Sequence, residues 1–282
     1  EMYVASDIPA LLPYTRKVIF LEDDEYAIVQ KNEIQLFSLK NHAPLKRKAT
    51  VIDWSVDQAQ KGGFPHYMLK EIHEQPQVIA GTISRHLDRK GKVQFPSFGP
   101  AVDRTLARIR KIFIVSCGTA YHAGLVSRYL IEECARIPTE VQVSSEFRYS
   151  DPILTQGDVV VLITQSGETA DTLAALREAK AKGALTVALV NVVGSTIARE
   201  ADLVIYTHAG PEIGVASTKA YSAQLMTLVL FALYLAKLRR KISERELREA
   251  VRQIRRLPQQ AEKTLKLDRL IQGSARKHYR SR

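Results

Sequence analysis

The sequence predicts an α/β protein built on a doubly wound, five-stranded parallel sheet, and three observations predict it. Five short runs rich in β-branched residues, at 111–115, 139–144, 158–163, 185–190 and 203–206, read as strands buried on both faces. Segments with the apolar spacing of helices lie between them, which is the alternation of βαβ units. The third run leads into a turn crowded with hydroxyls, Thr164-Gln165-Ser166-Gly167-Glu168-Thr169. Sheets of this class bind ligands outside the carboxyl ends of their strands, where this turn falls.

Taken in order, residues 1–40 read as a small β-rich piece. Runs at 16–21, 25–30 and 33–38 are strand-like, with Glu22-Asp23-Asp24 and Lys31-Asn32 as turns, and their register fits a meander. Three such strands cannot stand alone as a domain. Residues 41–64 are mixed and polar and read as a linker. A helix is expected from His66 to Gln75, ended by Pro76, and a second from Pro76 to about Leu87, so that 41–90 forms a helical linker. His66 and His73 read as surface or interface histidines, because metal binding calls for i,i+4 spacing and a third ligand.

The sheet domain is expected over residues 91–240. Its first strand enters Ser116-Cys117-Gly118-Thr119-Ala120 and a helix over 121–136; its second is followed by a loop over 145–150. The third strand, the hydroxyl turn and a helix to Lys182-Gly183 come next. The fourth ends in Asn191-Val192-Val193-Gly194-Ser195 and a short helix. After the fifth, a loop over 210–216 leads into a long apolar helix over 217–238, and residues 241–282 form a basic helical connector.

The chain has 282 residues and a formal charge of +11. All of that excess lies from Lys237 onward, where 16 lysines and arginines face 5 acidic residues; the rest is neutral. The tail interleaves Arg239, Arg240, Lys241, Arg245, Arg248, Arg252, Arg255 and Arg256 with Glu244, Glu246 and Glu249, the spacing of a solvated helix face. Tyr279 is its one aromatic residue for stacking on bases, which disfavours nucleic-acid binding. No uninterrupted apolar run reaches membrane-spanning length, and Glu1 to Asp7 lacks the features of a signal peptide. With only Cys117 and Cys134, no disulfide framework is expected, and the reading is a cytoplasmic protein with reduced thiols.

Three turns follow strands of one sheet and are able to converge on one ligand. They are residues 117–120, 164–169 and 214–219. A strand-to-helix turn gathers unpaired backbone N–H groups and the positive end of a helix dipole, which suits a phosphate. Thr164, Ser166 and Thr169 read either as helix caps or as phosphate donors, and three hydroxyls and an amide around one glycine exceed what capping needs. Thr119 is either a cap or a ligand. Lys219 is either a cationic ligand or a solvated lysine, and Cys117 reads as a small buried thiol. Neither a Gly-x-Gly-x-x-Gly nor a P-loop motif is present, so the pattern favours a phosphomonoester on a neutral sugar over a nucleotide, with no metal or cofactor.

Residues 164–172 resemble the phosphosugar signature of the sugar isomerase (SIS) domain family. More narrowly, they resemble the SIS aminotransferases that make glucosamine 6-phosphate from fructose 6-phosphate and glutamine. His66 to Pro76, Cys117-Gly118-Thr119, Ser145 to Tyr149 and Glu212 to Lys219 match the same family in the same order. The resemblance implies a flavodoxin-like strand order. It also implies that 1–40 ends a glutaminase domain, with its nucleophile upstream, and that a second SIS domain downstream carries the isomerising groups. By the same resemblance Thr164, Gln165, Ser166 and Thr169 hold the phosphate of fructose 6-phosphate or glucosamine 6-phosphate. Thr119 and Ala120 contact sugar or phosphate, Ala120 through its main chain, and Val215 lines the sugar site through its backbone. Glu168, at a helix start, stabilises the turn, and no residue of this chain is assigned a catalytic role. The full-length protein is expected to be a homodimer. The competing readings are a non-catalytic SIS phosphosugar sensor, which would carry a DNA-binding motif not found here, and a structural scaffold, which leaves the hydroxyl turn unexplained.

Overall fold

The computed structural model describes residues 1–5, 8–52 and 61–281. Ser6 and Asp7 of the β-rich start and residues 53–60 of the expected linker lie outside the described residues. The chain divides into two compact units, Glu1–Tyr67 with Gly210–Ile213, and Met68–Ala209 with Gly214–Arg282.

The first unit holds α1 (Ile8–Leu11), β1 (Lys17–Val18), β2 (Glu25–Val29), β3 (Ile34–Ser38), β4 (Pro44–Leu45) and β5 (Thr50–Val51). An antiparallel meander forms, but from β2, β3 and β4. The run expected at 16–21 yields only β1, which pairs with β5 instead of joining the meander. Arg47 explains the difference. Its guanidinium donates to Phe20 O at 2.6 Å and forks onto the Glu25 carboxylate at 2.7 Å, tying the polar stretch after β4 back across the acidic turn.

The second unit opens with α2 (Tyr67–His86), which continues through Pro76 where the sequence predicts a break. A proline lacks the N–H that would bond the carbonyl four residues earlier, here Ile72. The Gln75 side-chain amide donates to Ile72 O at 3.2 Å in its place, and Gln75 Oε1 accepts the Ser222 hydroxyl at 2.6 Å. Replacing Gln75 by Ala strands the Ile72 carbonyl and leaves the Ser222 hydroxyl only its longer bond to Thr218 O at 3.3 Å, an expected cost of about 1–2 kcal/mol, measured by urea unfolding.

Then follow α3 (Pro100–Leu106), β6 (Lys111–Ser116), α4 (Gly118–Leu130), β7 (Thr139–Val143), α5 (Ser144–Tyr149), β8 (Asp158–Thr164) and α6 (Ala170–Ala181). The unit continues with β9 (Leu185–Val190), α7 (Thr196–Glu200), β10 (Leu203–Tyr206) and α8 (Lys219–Leu238). All five strands pair in parallel, in the order β10-β9-β8-β6-β7. The second strand thus lies outside the first and the remaining three run away on the other side, which is the flavodoxin-like order. The strands bury both faces with period two. Ile112, Ile114, Val159, Val161 and Ile163 join one core with α8, while Phe113, Val115, Val160 and Leu162 join the other with α6.

Residues 145–150, expected as a loop, form α5. Phe147 is fully buried, and Ser144 Oγ lies 2.9 Å from Thr172 Oγ1, so packing against α6 selects the helix. Helix α8 has the length and composition of a membrane span, with mean hydropathy 1.4, yet 61% of that stretch is buried in the unit. Its apolarity serves a helix covered nearly all round. The tail carries α9 (Glu244–Ile254), started by a Ser243–Glu246 capping box, then α10 (Leu257–Leu265) and α11 (Asp268–His278), which bury no side chain.

Candidate phosphosugar site

Strand order reverses between β6 and β8, and Ser116 at the end of β6 pairs in register with Ile163. The turns that leave these two strands therefore start side by side at the switch point, the crevice where open α/β sheets take ligands.

The turn after β8 is held from within. Thr164 is 4% exposed, its Oγ1 accepts Gly167 N–H at 3.2 Å, and it lies 3.1 Å from Thr169 Oγ1. Ser166 Oγ accepts Glu168 N–H at 3.2 Å. Gln165 O accepts Asn191 N–H at 3.2 Å, and Gly167 O accepts Ile197 N–H at 3.1 Å, so the turn is laced to the segment after β9. Gly167 has φ +73°, which an L side chain rarely adopts.

These bonds leave a donor surplus. Ser166 uses a lone pair to accept a backbone N–H group, which keeps its own O–H proton available. Between Thr164 and Thr169 one proton fills the shared contact, so the other remains for a ligand. Thr169 occupies the N-cap position of α6 without making a side-chain cap bond, so the capping reading does not describe it. The first N–H groups of α6 have no intrahelical partner and add the positive end of a twelve-residue helix. Together these groups present several donors to an anion. Glu168 points its carboxylate elsewhere, accepting Thr196 N–H at 2.8 Å.

In the neighbouring turn, Cys117 is the N-cap of α4 in extended conformation and is half-buried, while Gly118 has φ +60°. Thr119 is exposed and Ala120 is 7% exposed, so only the former offers a free side chain. Fold topology brings Thr119, Ala120, Thr164, Gln165, Ser166 and Thr169 to one end of adjacent strands. Val215 comes from a different part of the sheet, the connection between β10 and α8, and its side chain is fully exposed. The residue before it is fixed: Gly214 N–H bonds both oxygens of buried Glu71, at 3.1 and 3.2 Å.

Lys219 is neither a free cation nor a solvated lysine. It is 3% exposed and its Nζ donates to Glu74 at 2.6 Å, while Glu74 also meets Lys70 at 3.3 Å. The apolar face of α8 draws its first residue into the core, and Glu74 on α2 neutralises it there. Sequence reading also passed over Ser195. This serine is 2% exposed, its hydroxyl lacks a partner, and it stands against Gly167 where a Cβ would go. A glycine-serine pair closing the turn after β9 was the available signal. A groove of about 570 Å³ lined by Arg148, Tyr149, Ala170, Leu173 and Arg177 runs along the outside of α5 and α6, starting at the first residue of α6.

Residues 105–234 match the SIS domain model, a span that runs from α3 into α8 and contains both turns. Over that span the chain is similar to SIS domains. Over 98% of its length the chain is 47% identical to glutamine–fructose-6-phosphate aminotransferase [isomerizing] of Clostridium tetani, covering 45% of that protein. It is 44% identical to the enzyme of the same name from Thermus thermophilus, over 100% of this chain and 46% of the relative. Among solved structures, the C-terminal domain of glucosamine-fructose-6-phosphate aminotransferase from Francisella tularensis superposes with a TM-score of 0.73 at 38% identity. That match covers 77% of this chain and 60% of that one. The chain thus spans about half the length of the curated relatives it matches, and the matched segment carries the resemblance to the flavodoxin-like order read from its strands.

Proposed function

We propose that this SIS domain binds the phosphate of fructose 6-phosphate, and of glucosamine 6-phosphate as product, within an aminotransferase that takes its nitrogen from glutamine. The observation that carries the reading is the donor-rich turn around Gly167, set at the switch point of the sheet on the N-terminus of α6. Thr164, Ser166 and Thr169 supply hydroxyl donors and Gln165 an amide. Thr119 and the main chain at Ala120 close the neighbouring side, and the Val215 backbone meets the sugar. The phosphate anchors the substrate by binding energy remote from the reacting carbons.

Isomerisation needs a base within hydrogen-bond reach of those carbons. Glu168, the carboxylate of the turn, is committed to Thr196, so this chain's part is to hold and orient. In the same reading residues 1–40 end a glutamine amidotransferase domain, 91–240 form the first SIS domain and 241–282 lead to a second. The whole protein acts in the cytoplasm as a homodimer, in hexosamine synthesis toward UDP-N-acetylglucosamine.

Calorimetric titration tests the site. Ser166→Ala is expected to weaken fructose 6-phosphate binding about tenfold, the effect of one hydrogen bond to a charged group. Unchanged affinity, or no binding by the wild type at millimolar ligand, overturns the assignment.

A further inference from the structure

The phosphosugar reading leaves the charge of the chain unused: the hydroxyl turn carries no basic side chain, and the whole excess of +11 sits from Lys237, in the last turn of α8, onward. Helix α9 gathers part of it on one stripe. Its buried face, Leu247, Val251 and Ile254, packs into the core, which turns Arg248, Arg252, Arg255 and Arg256 outward at spacings of one helical turn. The tight turn after α2 lies against this helix. Gly91, at φ +84°, approaches so closely that an added Cβ would stand 3.3 Å from Val251 Cγ1, and Arg255 donates to Asp88 O at 3.2 Å. Between the two elements runs a groove of about 470 Å³ lined by Lys90, Gly91, Arg248, Arg252, Arg255 and Arg256 around Val251.

The carboxylates of the same elements are already engaged. Asp88 Oδ1 accepts Lys92 N–H at 2.8 Å, Glu244 pairs with Lys237, Glu246 is held in the capping box, and Glu249 takes Arg252 and Gln253. Among the described residues Lys90, Arg248, Arg255 and Arg256 have no ion-pair partner. Four cations outside any ion pair converge on one concave surface from two elements fixed to the core, with Glu249 near enough to feel Arg256 but bonded to Arg252. Like charges held that close repel, and an anion in the groove relieves the repulsion.

We infer that the groove between the turn at residues 88–92 and helix α9 is a second anion site, distinct from the hydroxyl turn, and that it takes a small ligand with linked phosphates, of the pyrophosphate or polyphosphate class. Eight residues at helical rise make the stripe from Arg248 to Arg256 about 12 Å long, more than a single phosphate spans, whereas linked phosphates reach along it and take bidentate bonds from several guanidiniums. An extended nucleic acid would want aromatic platforms, and none lines the groove.

Tripolyphosphate titrated calorimetrically into the whole chain tests the site, with orthophosphate alongside. The expected result is tripolyphosphate binding at least tenfold tighter than orthophosphate, weakening steeply as salt rises. It should persist in Ser166→Ala and in the presence of saturating fructose 6-phosphate. Arg248→Gln with Arg256→Gln should lower affinity about a hundredfold, roughly tenfold per charge-assisted contact, with the far-UV circular dichroism unchanged. Lys90→Gln, on the opposite wall, gives an independent loss of about tenfold. Loss of binding in Ser166→Ala but not in the arginine variants would assign the anion to the hydroxyl turn and overturn the proposal while leaving the phosphosugar reading intact. Tighter binding of a single-stranded oligonucleotide than of tripolyphosphate would also overturn it.

Discussion

Gly167→Ala is expected to abolish fructose 6-phosphate binding and to lower stability by about 2–5 kcal/mol. Two costs add. The residue sits at φ +73°, where a side chain costs roughly 1–2 kcal/mol. The new Cβ would fall inside van der Waals contact of both Oγ and Cβ of Ser195, a fully packed residue at the start of α7, and overpacking of this kind costs about 1–3 kcal/mol. Relief can come only by moving the turn, which breaks the bonds from Gly167 N–H to Thr164 and from Ile197 N–H to Gly167 O. The donors would then no longer converge. Urea unfolding and hexose-phosphate titration measure the two effects. A second substitution separates their causes: Ser195→Gly removes the colliding atoms and leaves the strain, so the double variant should recover roughly half of the lost stability. Full stability in Gly167→Ala alone would mean that the turn is not held as described.

What the sequence made legible follows from where information is local. Five β-branched strands and the helices between them are patterns of neighbours, and the sheet formed as they imply. The hydroxyl turn was legible because six consecutive residues carry both its backbone requirement, Gly167, and its donors. The misreadings all depend on partners far along the chain. Pro76 reads as a break until Gln75 is seen filling the Ile72 carbonyl and Ser222, some 147 residues on, is seen fixing Gln75. The segment after β7 reads as a loop until Thr172 meets Ser144. Strand β1 finds β5 instead of its neighbour because Arg47 folds the polar stretch over Glu25. Ser195 shows no role in its own context; it matters because Gly167 has no side chain. Each is a tertiary contact overriding a sound local preference.

Lys219 belongs to the same class, and its partner sets the second large effect. Glu74→Ala is expected to destabilise the protein by about 3–5 kcal/mol, because it leaves a buried ammonium without the carboxylate that neutralises it. Lys219 is 3% exposed and 2.6 Å from Glu74, at the first residue of α8, so its charge cannot reach water without unwinding that end of the helix. The reverse substitution should be milder. Lys219→Met places an apolar chain in an apolar setting, and Glu74 keeps Lys70 at 3.3 Å as a counter-ion. Because Glu74 also meets buried Lys70, Glu74→Leu with Lys219→Met should recover only part of the loss, whereas adding Lys70→Met exchanges the buried charged group whole and should recover most of it, measured by urea unfolding. The ligand response adds a distinction that stability alone does not provide. The pair anchors the start of α8, just after the connection whose Gly214 is bound to Glu71 one helical turn away on α2. Loosening that connection frees the Val215 backbone but leaves Thr164, Ser166 and Thr169 in place. Glu74→Ala should therefore weaken fructose 6-phosphate binding while sparing inorganic phosphate, whereas Gly167→Ala removes both. Equal losses for the two ligands in Glu74→Ala would place the connection after β10 outside the sugar's reach and confine the site to the two turns at the switch point.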